Sequence, residues 1–321
     1  MESYTPSGSV LVIGALGQIG SDLVQALRHR YGTDNVIAAD IRPEPEGHSG
    51  PYIQMDALNA HAQIQAVRTY GVSEIYNLAA ILSAKGEQNP QAAWDINMRA
   101  LMNSLETIRH SEAKKLFWPS SIAVFGPSTP KVHTPQLTLM EPSTVYGISK
   151  LAGERWCEYY HRKYGVDVRS LRYPGLISYA GQPGGGTTDY AVDVFHHAVQ
   201  GKAYECFLSP GTALPMMYMS DAIEATVSLM EAPAASVQIR SSYNLSGMSF
   251  TPEQLFEEIR RILPDLEVSY APDFRQTIAD SWPASIDDAC ARKDWGWQET
   301  YHLGDMVRDM IVRLSEPRSV R

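Results

Sequence analysis

The sequence predicts an α/β protein in which a doubly wound parallel sheet is followed by a smaller C-terminal α/β lobe. A short apolar run from Ser9 to Ile13 leads through a glycine-rich turn into residues with helical periodicity. Apolar strand-like runs and helical segments then alternate as far as about residue 175. Beyond that point the elements become shorter, and glycine and proline interrupt them. We therefore expect residues 1–175 to form one domain and residues 176–321 mainly a second lobe, with some segments returning to the first sheet.

Composition excludes several classes of function. The chain has 321 residues, 44% of them hydrophobic and 20% charged, as in ordinary globular proteins. Its net charge of −9 argues against nucleic acid and anionic membranes as partners. No apolar run reaches the length of about 18 residues that a membrane span needs. The three cysteines lie far apart and the N-terminus shows no targeting segment, so we expect a cytoplasmic protein without disulfides.

The first turn carries three glycines with distinct tasks. Gly14 permits a tight turn, Gly17 lets the backbone approach a pyrophosphate, and Gly20 lets the helix pack closely on the strand. Gln18 and Ile19 would lie at the helix N-terminus, where free N–H groups face the phosphates. This order of strand, turn and helix predicts a Rossmann dinucleotide-binding unit, although a tight βα turn without a ligand is an alternative.

The next two strands supply acidic residues for the cofactor. A second buried strand ends at Asp40, twenty residues after the last glycine, where a carboxylate binds ribose hydroxyls and repels a 2′-phosphate. This position predicts NAD rather than NADP as the cofactor. Ile41 and Arg42 follow it, and the charge of the arginine would weaken the preference for NAD. A third strand ends before Asp56 and Ala57, where the carboxylate would meet the adenine amino group or cap the next helix.

A fourth strand should begin at about residue 74, and we expect its end to form the surface on which the cofactor lies. Its end, Leu78, Ala79 and Ala80, is small enough for a flat ring to lie against the backbone. A long amphipathic helix should then run from Pro90 to about residue 110. Asn97, inside this helix, either faces solvent or links the helix to the neighbouring strand.

Candidate catalytic residues lie at and after the end of the fifth strand, which should end at two serines, Ser120 and Ser121. After a proline-rich loop, Tyr146 and Lys150 are spaced to lie on one face of a helix. A neighbouring ammonium favours the phenolate and lowers a tyrosine pKa that is ordinarily about 10. The pair Tyr159/Lys163 has the same spacing, so spacing alone does not choose between the two pairs.

Other catalytic signatures are missing from the sequence. There is no HExxH motif, no cluster of cysteine and histidine, no GxSxG elbow and no P-loop. We therefore expect no metal, and the remaining interpretation is a nicotinamide site served by serine, tyrosine and lysine.

Taken together, these motifs resemble the extended short-chain dehydrogenase/reductase superfamily. The matching positions are Gly14, Gly17, Gly20, Asp40, residues 77–80, Ser121, Tyr146 and Lys150. The resemblance implies that Tyr146, about 25 residues after Ser121, is the general base and that Lys150 holds the nicotinamide ribose. It also implies that Ser121 orients the reacting oxygen and that Asn97, Tyr173 and Leu176 contribute to the cofactor site. Tyr159 and Lys163 would then be surface or interface residues.

Within that superfamily the chain is most similar to short-chain L-threonine 3-dehydrogenases. The similarity includes residues 77–87, 119–127 and 279–288, and the stretch 173–177 lacks the asparagine that nucleotide-sugar epimerases carry. It implies NAD-dependent oxidation of the C3 hydroxyl of L-threonine to 2-amino-3-ketobutyrate. The implied substrate-binding residues are Ser83, Ser121, Tyr146, Gly184, Thr187, Thr188 and Trp282, although packing is an alternative role for the tryptophan. Alternative functions are a nucleotide-sugar 4-epimerase or dehydratase, and an inactive NAD-sensing or scaffold protein.

Helices near residues 90–110 and 146–164 commonly pair between subunits in this superfamily. Trp156, Tyr159 and Tyr160 are residue types that are enriched at interfaces. We therefore expect a homodimer.

Overall fold

The computed structural model describes residues 4–181 and 186–316, so the predicted substrate residue Gly184 lies outside the described residues. The strands are β1 (Ser9–Ile13), β2 (Val36–Asp40), β3 (Tyr52–Gln54), β4 (Val72–Asn77), β5 (Lys115–Phe117), β6 (Ser120–Ser121), β7 (Asp167–Arg169), β8 (Leu171–Tyr173), β9 (Gly175–Ile177), β10 (Tyr204–Cys206), β11 (Leu214–Tyr218), β12 (Tyr243–Asn244), β13 (Met248–Phe250) and β14 (Val268–Tyr270). The helices are α1 (Gln18–Tyr31), α2 (Ala60–Tyr70), α3 (Ser83–Gln88), α4 (Pro90–Arg109), α5 (Val145–Tyr164), α6 (Tyr190–Ala198), α7 (Met219–Glu231), α8 (Pro252–Arg260), α9 (Phe274–Ser281), α10 (Ala289–Trp295) and α11 (Leu303–Ser315).

The largest sheet is parallel and has the order β3-β2-β1-β4-β5-β7. Val10, Leu11 and Val12 of the central strand are completely buried, because helices cover both faces of such a sheet. Strand order reverses between β1 and β4, and ligands of open α/β sheets bind at the carboxyl ends of the strands at this point. The predicted doubly wound parallel sheet is confirmed.

Two predicted strands are each divided in the structure. The expected fifth strand separates into β5 and β6 at Trp118 and Pro119, since proline has no N–H for the ladder. The expected strand from Val168 to Tyr173 likewise separates into β7 and β8. Of the second halves, β8 pairs with both β6 and β12, which gives a small sheet of order β12-β8-β6. As a result, Ser121 lies at the end of a separate short sheet that also includes a C-terminal strand.

Some C-terminal segments form small sheets of their own, and others pack against elements of the first domain. A sheet of order β13-β11-β9 and the pair β10-β14 pack in their own apolar core, which includes Phe195 and Phe256. Helix α7 packs against α1, and β12 pairs with β8. Helix α8 starts with a capping box formed by Thr251 and Gln254, a pattern that the sequence itself shows. Helix α7 thus packs against elements of the large sheet without adding a strand to it, and the domain division stays a prediction.

All three cysteines are free, two of them buried. Among the described residues, no helix has both the length and the apolar character that crossing a membrane requires. The cytoplasmic location stays a prediction.

Candidate functional site

A cavity of about 610 Å³ opens at the carboxyl edge of the large sheet, within the size range of small-molecule sites. Its walls come from the glycine turn, the segments after β4 and β6, the first turns of α5, and the segments around β9 and before α6. Predicted site residues on these walls are Gly14, Gly17, Gln18, Ile19, Gly20, Leu78, Ala80, Ser83, Ser121, Tyr146, Lys150, Tyr173, Leu176, Thr187, Thr188 and Trp282.

The glycine turn has the geometry of a phosphate-binding cradle. Gly14 has a φ of +81°, and a Cβ there would lie 2.9 Å from the backbone nitrogen of Ala79. A Cβ on Gly20 would overlap the carbonyl oxygen of Gly14, so helix and turn approach more closely than a side chain allows. Helix α1 begins after Gly17 without any side-chain cap. Its first N–H groups are therefore available to an anionic group, and the turn fits the pyrophosphate of NAD.

Asp40 at the end of β2 is buried and already accepts several hydrogen bonds. Its Oδ2 accepts the N–H of Leu16 in the glycine turn at 3.0 Å, and its Oδ1 accepts Nε of Arg42 at 2.9 Å. Burial opposes ionisation of the carboxyl, but these bonds outweigh it and the pKa lies below its usual value. The Arg42 side chain remains half-exposed while Asp40 is buried, and contact of either residue with the ribose of NAD stays a prediction.

Other predicted cofactor residues lie away from the cavity wall. Ile41 is 64% exposed beyond β2, and Asp56 accepts the N–H of Leu58 at 2.8 Å next to Ala57. Asn59, rather than Asp56, caps helix α2, with its side chain accepting from Ala62. These residues border the open surface beside the carboxyl ends of β2 and β3, and a contact with the adenosine half of NAD stays a prediction.

Asn97 is a buried link rather than a solvent-facing residue. Its Oδ1 accepts the N–H of Ile81 at 2.7 Å, and its Nδ2 donates to the carbonyl oxygen of Ile81 at 3.0 Å. Both polar atoms of the side chain are therefore used to fix the segment after β4. Asn97 lies behind the cavity wall, and Ile81 itself forms part of the wall.

Tyr146 lies in the first turn of α5, whose start is fixed on two sides. The Thr144 side chain accepts the N–H of Gly147 at 3.1 Å, and Glu87 of α3 accepts the N–H of Val145 at 2.8 Å. The Tyr146 phenol lines the cavity and makes a hydrogen bond with the side chain of Ser121. Burial raises the pKa of Tyr146 to about 12, and the bond with Ser121 lowers it only in part.

Lys150 is buried one turn further along α5. Its Nζ donates to the carbonyl oxygen of Pro119 at 2.6 Å and lies 5.4 Å from the ring centroid of Tyr146. Burial lowers the pKa of Lys150 to about 7, with the charges of Cys157 and Glu154 acting in the opposite direction. We expected the lysine to lower the tyrosine pKa. In the protein alone, burial of the phenol raises its pKa instead, and the ammonium is bound to a backbone carbonyl.

A buried ion pair that the sequence interpretation did not identify lies beneath Lys150. Arg172 of β8 donates from Nε and Nη2 to the two carboxylate oxygens of Glu154, both at 2.8 Å, and both side chains are excluded from solvent. Ser120 donates to the same carboxylate at 2.7 Å, as expected for a hydrogen-bonding residue at the end of a strand. These contacts thus join α5 to β6 and β8 of the three-stranded short sheet. Only the spatial contact reveals it, since the two residues lie on separate elements.

The competing pair Tyr159/Lys163 is on the surface. Lys163 Nζ donates to the Tyr159 hydroxyl at 2.7 Å, and Tyr159 is 42% exposed. Neither residue lines the cavity that contains Tyr146. The same spacing therefore produces one pair in the cavity and one on the outer face of α5.

The far end of the cavity combines hydroxyls, an aromatic ring and a cation. Ser83, Thr187, Thr188 and the largely buried Trp282 all contribute to its wall. Lys85 of α3 also lies on the wall, and within the described residues its ammonium has no ion pair. The sequence analysis did not select Lys85; its position two residues after Ser83 is the only signal that could have suggested it.

No group of three or more histidine, cysteine or acidic side chains within residues 4–181 and 186–316 is placed to bind a metal. Residues 10–246 match the family model described as the NAD dependent epimerase/dehydratase family. The chain belongs to this family. Its cofactor is accordingly NAD, which the geometry of the glycine turn fits.

Relatives in this family cover almost the whole chain. An uncharacterized epimerase/dehydratase of Staphylococcus aureus is 47% identical, over 97% of this chain and 98% of its own. The holo form of a GalE-like L-threonine dehydrogenase from Cupriavidus necator is 54% identical, with a TM-score of 0.94 over 95% of this chain and 99% of that chain. A monomeric L-threonine 3-dehydrogenase from a metagenome is 48% identical, with a TM-score of 0.92 over 95% and 98% of the two chains. The resemblance to the extended short-chain dehydrogenase/reductase superfamily is thereby confirmed.

Proposed function

We propose that this protein oxidises the C3 hydroxyl of L-threonine to 2-amino-3-ketobutyrate and reduces NAD to NADH. The observation that carries the proposal is a single cavity with the glycine turn on one wall and Tyr146, bonded to Ser121, on another. The similarity of the whole chain to solved L-threonine dehydrogenases supports threonine as the substrate.

Tyr146 is the general base in this proposal. NAD, when bound, supplies the acceptor for the hydride that leaves C3. The Tyr146 phenolate takes the hydroxyl proton, so that the two electrons of the C3–H bond leave as hydride while the C3–O bond becomes a carbonyl. Ser121, already bonded to the phenol, donates to the reacting oxygen and orients it.

Charge near the phenol determines how easily this base forms. In the protein alone the pKa of Tyr146 is about 12, so only a small fraction is phenolate at neutral pH. Lys150, on the same helical face, is anchored at the Pro119 carbonyl and binds the nicotinamide ribose in this proposal. Protonation of Lys150 beside the phenol favours the phenolate by direct charge attraction.

The opposite end of the cavity binds the amino acid in this proposal. Ser83, Thr187 and Thr188 offer hydroxyl groups to the amino and carboxylate groups of threonine, and Trp282 covers them with an apolar ring. The charge of Lys85 favours a carboxylate at this end. No arginine lies on the described part of the wall, so bidentate recognition of the carboxylate is not part of the proposal.

A direct test measures the absorbance of NADH formed with L-threonine, D-threonine, L-serine and a panel of nucleotide sugars. We expect turnover with L-threonine, and loss of turnover in a Tyr146→Phe variant that still binds NADH. Absence of NADH formation with L-threonine would contradict the proposal.

The same panel distinguishes the alternative functions. A nucleotide-sugar 4-epimerase, which the family description favours, would convert a sugar nucleotide without net release of NADH. An inactive NAD-sensing protein would bind NADH and turn over none of the substrates.

We further propose a homodimer in which α4 and α5 pair between subunits. Support comes from large exposed apolar side chains on these two helices, namely Trp94, Ile148, Trp156, Tyr159 and Tyr164. Tyr160 is buried and packs beneath them. Light scattering after size-exclusion chromatography should give twice the mass of 35.6 kDa, and a monomer, as in the metagenome relative, would contradict the proposal.

A further inference from the structure

Lys131 connects two segments that lie far apart in the sequence. It belongs to the proline-rich loop that precedes α5, and its Nζ donates to the carbonyl oxygens of Asp280 at 3.0 Å, Ser281 at 2.7 Å and Trp282 at 3.2 Å. An ammonium has three N–H donors, so this contact uses all of them. These three residues are the end of α9 and its C-terminal cap, where carbonyl groups lack partners within the helix and carry partial negative charge.

The backbone around Lys131 docks on the same segment independently of the ammonium. The Lys131 carbonyl oxygen accepts the N–H groups of Ala284 at 2.8 Å and Ser285 at 3.1 Å, and Thr134 N–H donates to the Ser285 carbonyl at 3.0 Å. Loss of the Lys131 side chain would therefore leave the two segments docked. What it would release is the end of α9, including the backbone of Trp282.

Release of the end of α9 would affect the cavity through Trp282. Its indole forms part of the cavity wall and is 8% exposed. The carbonyl groups on both sides of its Cα, those of Ser281 and Trp282, are both bound by the Lys131 ammonium. The direction of the indole therefore depends on a cation that is not itself on the described cavity wall.

We propose that Lys131 is a positioning residue that holds Trp282 on the wall of the cavity and thereby controls substrate affinity. The inference rests on the proposed function for the identity of the substrate. Lys131 contacts neither the glycine turn nor Tyr146 through any hydrogen bond among the described residues. Loss of the Lys131 side chain should therefore weaken binding of the amino acid and leave binding of the cofactor unchanged.

The test compares Lys131→Met, which keeps the length of the side chain without its charge, with Lys131→Arg, Trp282→Ala and the double variant Lys131→Met/Trp282→Ala. The exposed Lys163→Met serves as a matched control for the loss of one positive charge. We expect Lys131→Met to raise KM for L-threonine about tenfold, because three bonds to a charged donor are lost at the substrate end. The dissociation constant of NADH should change less than about twofold, and Lys131→Arg should restore most of the affinity.

Coupling between the two residues provides the decisive comparison. If Lys131 acts through Trp282, the double variant should have the same kcat/KM as Trp282→Ala alone. Multiplicative effects of the two substitutions would overturn the inference, as would an unchanged KM in Lys131→Met.

A second measurement does not depend on the substrate. Amide hydrogen exchange of residues 279–282 in the absence of L-threonine should be faster in Lys131→Met than in the wild type, and unchanged in Lys163→Met. If the wild type fails to oxidise L-threonine, the proposed function is wrong, and this exchange experiment still decides the positioning role. Equal exchange rates in Lys131→Met and the wild type would overturn the role of Lys131.

Discussion

We expect the choice between NAD and NADP to depend on the pair Asp40 and Arg42, so replacing Asp40 with serine should relax it. Serine is small and neutral and still offers an acceptor to the Leu16 N–H that Asp40 now binds at 3.0 Å. Two unit charges about 5 Å apart at an effective dielectric constant of about 20 interact by about 3 kcal/mol. Arg42 Nε, 2.9 Å from Asp40 Oδ1, already offsets part of the repulsion that a 2′-phosphate meets.

The variant removes this repulsion and also releases Arg42, whose guanidinium becomes available to a phosphate. We expect a change of about 2 kcal/mol in favour of NADP, which corresponds to about a 30-fold change in the ratio of kcat/KM for NADP to that for NAD. Initial rates of NADH and NADPH formation with L-threonine at saturation measure this ratio. Adding Arg42→Met to Asp40→Ser should remove the gain in kcat/KM for NADP. It should leave kcat/KM for NAD as it is in Asp40→Ser alone.

An unchanged ratio in Asp40→Ser would refute this reasoning. It would mean that Asp40 serves only to fix the glycine turn through Leu16. A large fall in the melting temperature with no change in cofactor preference would lead to the same conclusion.

The remaining predictions concern the base and the glycine turn. Tyr146→Phe should lower kcat about 1,000-fold or more with unchanged NADH binding, whereas Tyr159→Phe, its counterpart on the surface, should leave kcat and NADH binding intact. NADH absorbance measures kcat and a fluorescence titration measures NADH binding. Comparable losses in the two variants would contradict the assignment of Tyr146 as the base. Because the proposed base is the deprotonated form of Tyr146 and its pKa of about 12 lies above neutral pH, the initial rate of oxidation should rise between about pH 7 and 9. The rise should be less than about tenfold per pH unit, because Lys150, whose pKa is about 7, loses its charge over the same range; a flat or falling profile would contradict this sign. Gly20→Ala should destabilise the fold by about 2 kcal/mol and weaken NADH binding, since its Cβ would overlap the Gly14 carbonyl; denaturant unfolding that matches the wild type would show that the turn can relax.

Local patterns in the sequence predicted most of the large sheet. The apolar run before Gly14 and the capping box at Thr251 depend on side-chain periodicity and on hydrogen bonds between near neighbours. The spacing of Tyr146 and Lys150 likewise placed both on one helical face. Such features need only the local backbone, so the sequence alone was sufficient for them.

Tertiary structure decided the features that join distant segments. Pro119 divides a predicted strand, and its carbonyl then accepts the Lys150 ammonium from another element. The buried bond between Arg172 and Glu154, and that between Lys131 and the end of α9, join residues that no sequence period relates. Local propensity and periodicity act over a few residues, whereas these contacts form only when folding brings separate elements together. The sequence by itself therefore determined the large sheet and the helical face that Tyr146 and Lys150 share, while the tertiary structure determined what holds them in place.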